Sequence, residues 1–115
     1  MTVSSGKQGN IIMTKYILGF HGGTAPANPE DGAKAMAKWV AWYKDMGGAV
    51  ADMGNPAGPS KTIAANGRVA DTNGNALTGY SILEAKSLDD AISLAKGCPI
   101  YAAGGSVEVA ELMPM

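Results

Sequence analysis

The side chains best placed for proton chemistry are the single histidine, His21, and an acid, Glu108. His21 closes the apolar run Tyr16-Ile17-Leu18-Gly19-Phe20-His21, just before Gly22-Gly23. Imidazole ordinarily titrates near neutral pH, so a carboxylate beside it would make an acid–base pair. Two acids could share a sheet with it, Asp52 and Glu108. Glu108 alternates with Val107 and Val109 and therefore points away from the face those valines bury. On that opposite face it is either solvated or, if a second layer covers it, a buried carboxylate in need of a partner. The plainer role for a lone histidine at a strand end is one structural hydrogen bond. Catalysis by His21 with Glu108 stands as the alternative to it.

Asn55, Ser60 and Lys61, in the loop Gly54 to Lys61, and Tyr80 on a later strand are the candidate ligand contacts. The loop has the Gly, Ser and Lys content of a phosphate loop, but that motif needs glycine before the lysine and free amides around the anion. Here Ser60 precedes Lys61, and Pro56 and Pro59 carry no amide hydrogen, which rules out nucleotide binding by this route. A proline-shaped lip beside a cleft remains, and Tyr80 and Ser81 could line it, an ordinary cross-strand pair being the plainer reading. Cys98, between Gly97 and Pro99 without a basic neighbour to lower its pKa, reads as structural. One cysteine and one histidine give neither a disulfide nor a zinc-type cluster within the chain, and no cofactor is expected.

Those residues need a frame, and 115 residues suffice for one domain with its own core. Nine basic against ten acidic residues give a net charge of −1 without a basic run, so a general grip on nucleic acid phosphates has no electrostatic source. The longest apolar run falls well short of the roughly 20 residues of a membrane span, and the N-terminus lacks the blocks of a signal peptide. A cytoplasmic protein is expected. Residues 1–12 read as a flexible leader, with Met13 a candidate for the true initiator, and the domain as residues 13–115.

From Lys15 the chain predicts a strand ending at His21, apolar on both faces. A helix follows from Asn28, with Asn28 as cap, Pro29 at its first position and Glu30 and Asp31 in its first turn, running to about Met46. Its polar stripe is narrow, and Met36, Trp39, Val40 and Trp42 give it more apolar surface than one sheet contact needs. Ala49 to Met53 is a short strand expected to return beside the first. Asn66-Gly67 suggests a hairpin with a type I′ turn between Thr62–Ala65 and Arg68–Ala70. Gly79 to Ala85 is the next strand. Ser87 with Asp90 caps a helix from Leu88 to Lys96, ended by a left-handed Gly97 and by Pro99, and Ser106 to Leu112 is the last strand. The order is β-α-β, a hairpin, then β-α-β: an α+β, ferredoxin-like split βαβ fold with an inserted hairpin and both helices on one face of an antiparallel sheet. The other face is bare in a single copy, and a homodimer pairing two sheets is the simplest cover.

Gly79-Tyr80 leading into Ile82-Leu83-Glu84-Ala85, Ser87-Leu88-Asp89-Asp90-Ala91, Gly97-Cys98-Pro99 and Gly104-Gly105-Ser106-Val107-Glu108-Val109 resemble the YCII-related proteins, on the branch that carries the DGPF motif. Trp39-Val40-Ala41-Trp42-Tyr43 and Gly54-Asn55-Pro56 fit the same branch. The resemblance implies a dimeric α/β barrel with a cleft near the subunit interface. In some members it also implies a histidine on the first helix and an aspartate before the proline after the second helix. Here that helix has no histidine, Cys98 stands in the aspartate's place, and the DGPF region reads Asp71-Thr72-Asn73-Gly74. The resemblance therefore carries fold and dimer further than mechanism. The leading expectation is a cytoplasmic homodimer binding a small molecule. The alternatives are a cofactor-free lyase or oxygenase-type enzyme with His21 as base, and a protein-partner or regulatory module using the surface around Trp39 and Trp42.

Overall fold

The structure, a computed structural model, describes residues 13–72 and 74–115; the leader expected over residues 1–12 lies outside them. Strand β1 is Thr14–His21, helix α1 Pro29–Met46, β2 Val50–Asp52, β3 Lys61–Ile63, β4 Val69–Asp71, β5 Leu77–Ala85, α2 Leu88–Ala95 and β6 Ser106–Glu111. Both helices start at the expected caps. Asn28 Oδ1 accepts the Asp31 amide at 2.8 Å and Ser87 Oγ the Asp90 amide at 3.2 Å.

Four strands form an antiparallel sheet in the order β2-β5-β1-β6, which is the ferredoxin-like arrangement. The expectation that β2 returns beside β1 is corrected: β5 lies between them and pairs with both. A βαβ crossover leaves the two parallel strands room for an antiparallel neighbour, and the longer, more apolar β5 fills the central place.

Alternate residues Tyr16, Leu18 and Phe20 of β1 and Gly79, Ser81, Leu83 and Ala85 of β5 are buried. With Trp42 and Met46 from α1, Ala95 from α2, Cys98 and Ile100, they place both helices on one side of the sheet. Leu18 and Leu83 are wholly buried, each contributing about 2 kcal/mol by area. Phe20, Trp39 and Trp42 meet edge to face, with centroids 5.1 Å apart for Phe20–Trp39 and 5.6 Å for Trp39–Trp42.

Two local expectations change. Gly97 has no positive φ, so it is not a left-handed stop. Helix α2 tightens instead, Gly97 N–H bonding Leu94 O and Cys98 N–H bonding Ala95 O. Gly97 is needed for space, because a Cβ there would stand 3.2 Å from Trp42 Cδ1. The hairpin turn is also one residue longer than a type I′ turn. Ala64 N–H bonds Arg68 O and Gly67 N–H bonds Ala64 O, so Ala65, Asn66 and Gly67 form a three-residue loop. Gly67 takes the left-handed angle, at φ +85°.

Candidate functional site

Residues on the sheet face away from the helices come from the other phase of the same strands. Register pairing puts Tyr80, Gly19 and Glu108 in one row across β5, β1 and β6. The next row holds Leu77, His21 and Ser106, and the row on the other side holds Ile82, Ile17 and Ala110. Opposed residues share a face in an antiparallel pair, so one end of this open face is polar and its middle apolar.

A bulge sets the polar end. Phe20 pairs with Gly79 but His21 with Leu77, which leaves Thr78 as the extra residue. The Thr78 hydroxyl lies 3.1 Å from Phe20 O and 3.2 Å from Gly22 O, tying the irregularity down. One extra residue reverses the phase of everything beyond it, and so Leu77 joins His21 on the open face. Gly105 completes the support, since a Cβ there would come within 2.8 Å of His21 O.

His21 Nδ1 is 3.0 Å from the main-chain oxygen of Asn75, and His21 Nε2 is 3.1 Å from Glu108 Oε1. A carbonyl only accepts, so Nδ1 carries the proton. Nε2 faces the Glu108 carboxyl, so the imidazole is held between a main-chain oxygen and an acid. The histidine side chain is only 11% exposed although α1 and α2 both lie on the opposite face, whereas that of Glu108 is 70% exposed. Glu108 thus presents its free oxygen outward with the imidazole behind it. Gly19 is itself buried and lets Leu77 and His21 close over the strand, because a Cβ there would sit 3.3 Å from Leu77 Cδ1 and 3.5 Å from His21 Nε2.

Of the residues singled out in the sequence, His21 and Glu108 come together across 87 positions, and Tyr80 stands in the adjoining row. Asp52, the other acid considered for His21, instead accepts the Gly54 amide at 2.8 Å. Asn55 uses its main-chain oxygen to hold the Tyr80 amide at 3.2 Å at the sheet edge, and the residue itself is exposed. Ser60 is exposed in the loop, and the Lys61 ammonium is paired with Asp71 on the hairpin, so neither joins the His21 row. Gly19, Leu77 and the Asn75 carbonyl were not singled out. Glycine in mid-strand is a signal for close approach that could have found the first.

The helix side has different chemistry. Shallow grooves of about 520 Å³, between α1 and the end of α2, and about 490 Å³, between α1 and β2, are lined largely by apolar groups and contain neither His21 nor Glu108. Tyr43 OH is 2.6 Å from the wholly buried Ser81 Oγ, which donates to Met53 O at 2.7 Å. Burial raises the Tyr43 pKa above its ordinary value. Burial also pushes the Cys98 thiol up to about 11, in keeping with a structural cysteine. Trp42 is buried with its Nε1–H on Leu94 O at 3.0 Å, and Trp39 packs half-buried on Phe20. The indoles therefore serve the core, and Met36 and Val40 are the large exposed apolar residues of α1.

Among the described residues no helix is long and apolar enough to cross a membrane. The model of the YCII-related domain family matches residues 17–115, and the chain belongs to that family. No curated protein matches the chain.

Proposed function

We propose that this YCII-related protein binds a small molecule on the open sheet face, in a cleft closed by a second copy, with Glu108 as the contacting acceptor and His21 behind it. The observation that carries this reading is the buried imidazole held between Asn75 O and Glu108 Oε1 on the face opposite α1 and α2. With partners on both nitrogens the buried ring is held in one orientation beside the exposed acid. Tyr80 and the exposed Leu77, in the rows beside Glu108 and His21, supply a surface for a flat or apolar group. Half-buried Ile17 and Ile82 supply an apolar patch that a second sheet would cover. A ligand with an O–H or N–H beside an apolar moiety fits best. The free, buried thiol of Cys98 suits a cytoplasmic setting, where cysteines stay reduced.

A thermal-shift screen of a metabolite library tests the reading. A ligand at about 100 times its Kd adds about 2.7 kcal/mol, and hits are expected to lose that effect in Glu108→Ala and in Gly19→Leu. A library without hits, or hits indifferent to both changes, would sink it.

A second reading, proton-transfer catalysis of lyase or oxygenase type without a cofactor, is favoured by the 3.1 Å contact of His21 Nε2 with Glu108 Oε1. In it Glu108 exchanges a proton with substrate and His21 restores it. Turnover unchanged in both His21→Ala and Glu108→Gln on any substrate so found would exclude it.

A further inference from the structure

Asn66 stands directly before Gly67 in the exposed loop of the β3–β4 hairpin. An asparagine carboxamide is open to attack by the main-chain nitrogen of the next residue, and glycine, without a Cβ, offers that nitrogen with the least hindrance. Asn28 and Asn55 precede prolines, which have no amide hydrogen to lose, and Asn75 precedes an alanine. Asn73 also precedes a glycine, but it lies outside the described residues. In the reaction the Gly67 nitrogen gives its proton to solvent hydroxide and bonds to Asn66 Cγ; the Cγ–Nδ2 bond breaks and ammonia leaves. Water then opens the cyclic imide at one of its two carbonyls, giving aspartate or isoaspartate. The sum is an amide plus water giving an acid plus ammonia, with nothing oxidised or reduced.

The closed loop restrains both reacting groups. Gly67 N–H bonds Ala64 O at 2.8 Å, and Arg68 N–H bonds Asn66 Oδ1 at 2.9 Å. The attacking nitrogen thus keeps its proton engaged while the carboxamide is pinned by its oxygen, and the reaction waits for the loop to open. What holds the loop shut is slight. Strands β3 and β4 form a separate two-stranded sheet, and every residue from Lys61 to Asp71 is exposed. Its hydrogen bonds among the described residues are internal: the β3–β4 ladder, the loop bonds, Thr62 with Thr72, and Lys61 with Asp71. A two-stranded hairpin is marginal in water, so this one opens locally at little cost while the core of β1, β5 and the helices stays packed.

We infer that Asn66 is a self-modifying site of the folded protein, converted with water to aspartate or isoaspartate at a rate set by opening of the β3–β4 hairpin and not by unfolding of the core. Either product places a carboxylate beside Arg68, and isoaspartate also lengthens the main chain of the three-residue loop between Ala64 and Arg68. The site is independent of the open sheet face and of any second copy.

The full chain is held at mildly alkaline pH, folded or in unfolding urea, sampled over weeks, digested with trypsin and read by mass spectrometry. Cleavage after Lys61 and Arg68 releases residues 62–68 with Asn66 as the sole asparagine, whereas Asn73 falls in residues 69–86. Wild type is compared with Ile63→Gly plus Val69→Gly, which removes an opposed β-branched pair from the hairpin, and with Leu18→Ala, which weakens the core. Circular dichroism monitors folding. Conversion of Asn66 in the folded wild type is expected to be about tenfold slower than in urea. It should be about fivefold faster in the Ile63/Val69 variant and unchanged in Leu18→Ala. Suppression by about a thousandfold or more, the scale of global unfolding, would overturn the inference. So would equal rates in folded and unfolded wild type, equal rates in wild type and the Ile63/Val69 variant, or faster conversion in Leu18→Ala. Should the double substitution fail to fold, Val69→Gly alone loosens the same hairpin, and an unchanged rate there overturns the inference.

Discussion

The two faces of the β5-β1-β6 sheet use alternate residues of the same strands and do opposite things. The helix face buries Leu18, Phe20, Leu83 and the indole of Trp42 in an aromatic and aliphatic core. The open face places the hydrogen-bonded His21 and Glu108 with Tyr80 and Leu77 in neighbouring rows, on the side opposite α1 and α2. Core positions are redundant in chemistry, since any apolar group of the right size serves; the open face depends on particular atoms in particular places. Substitutions on the first face should therefore alter stability, and those on the second should alter binding with little effect on stability.

The largest expected effect comes from two adjacent residues of one strand. Leu18→Ala removes a wholly buried side chain and is expected to lower stability by about 3–5 kcal/mol, a fall in Tm on the order of 15 °C for a domain of this size. Ile17→Ser, one position along and on the other face, is expected to make Tm more dependent on protein concentration without a comparable loss at high concentration. Equal, concentration-independent losses for both would erase the distinction between the faces.

A pH series probes the core next. The unfolded Cys98 thiol ionises first as pH rises, because burial pushes the folded one up from 9.0 to about 11. That contribution is intact below pH 9 and is lost as pH climbs toward 11, a change on the order of 2 kcal/mol. Tyr43, raised by burial, adds in the same direction. Cys98→Ala should show a shallower alkaline fall in Tm than the wild type, and identical slopes would refute the assignment. Smaller again is Tyr43→Phe, which removes a hydrogen bond to Ser81 and should lower stability by about 1 kcal/mol in urea unfolding.

The smallest effect on stability sharpens the comparison most. Glu108→Gln should change unfolding free energy by no more than about 0.5 kcal/mol, because the side chain is 70% exposed. It should nevertheless alter the ring-nitrogen NMR signals of His21, since a glutamine amide can donate to an unprotonated Nε2 and a carboxylate cannot. Unchanged ring signals would mean that the two side chains make no such contact.

Much of the helix face was legible in the sequence. Asn28 and Ser87 marked the helix starts through their own side chains, and alternation in Tyr16-Ile17-Leu18 and Ser81-Ile82-Leu83 marked the strands. Position 97 was legible as a glycine but not for its reason, which is the Trp42 ring arriving from a distant helix. The place of β2 at the edge was hidden because strand order depends on which strands gain most from a central position. On the open face, the alternation of Val107-Glu108-Val109 gave the direction of Glu108, and that pointed to His21. The rest of the site was out of reach: the Thr78 bulge shifts register without a local signature, and Asn75 acts through a main-chain oxygen that any residue would provide.

The most direct test of a division between a packed face and a binding face is a ¹⁵N–¹H spectrum of the wild-type protein titrated with the strongest hit from the metabolite screen. Shifts are expected to cluster on Gly19, His21, Tyr80 and Glu108. Shifts confined to Trp42, Leu94 and Gly97, around the groove between the helices, would contradict the assignment of the open face as the functional one.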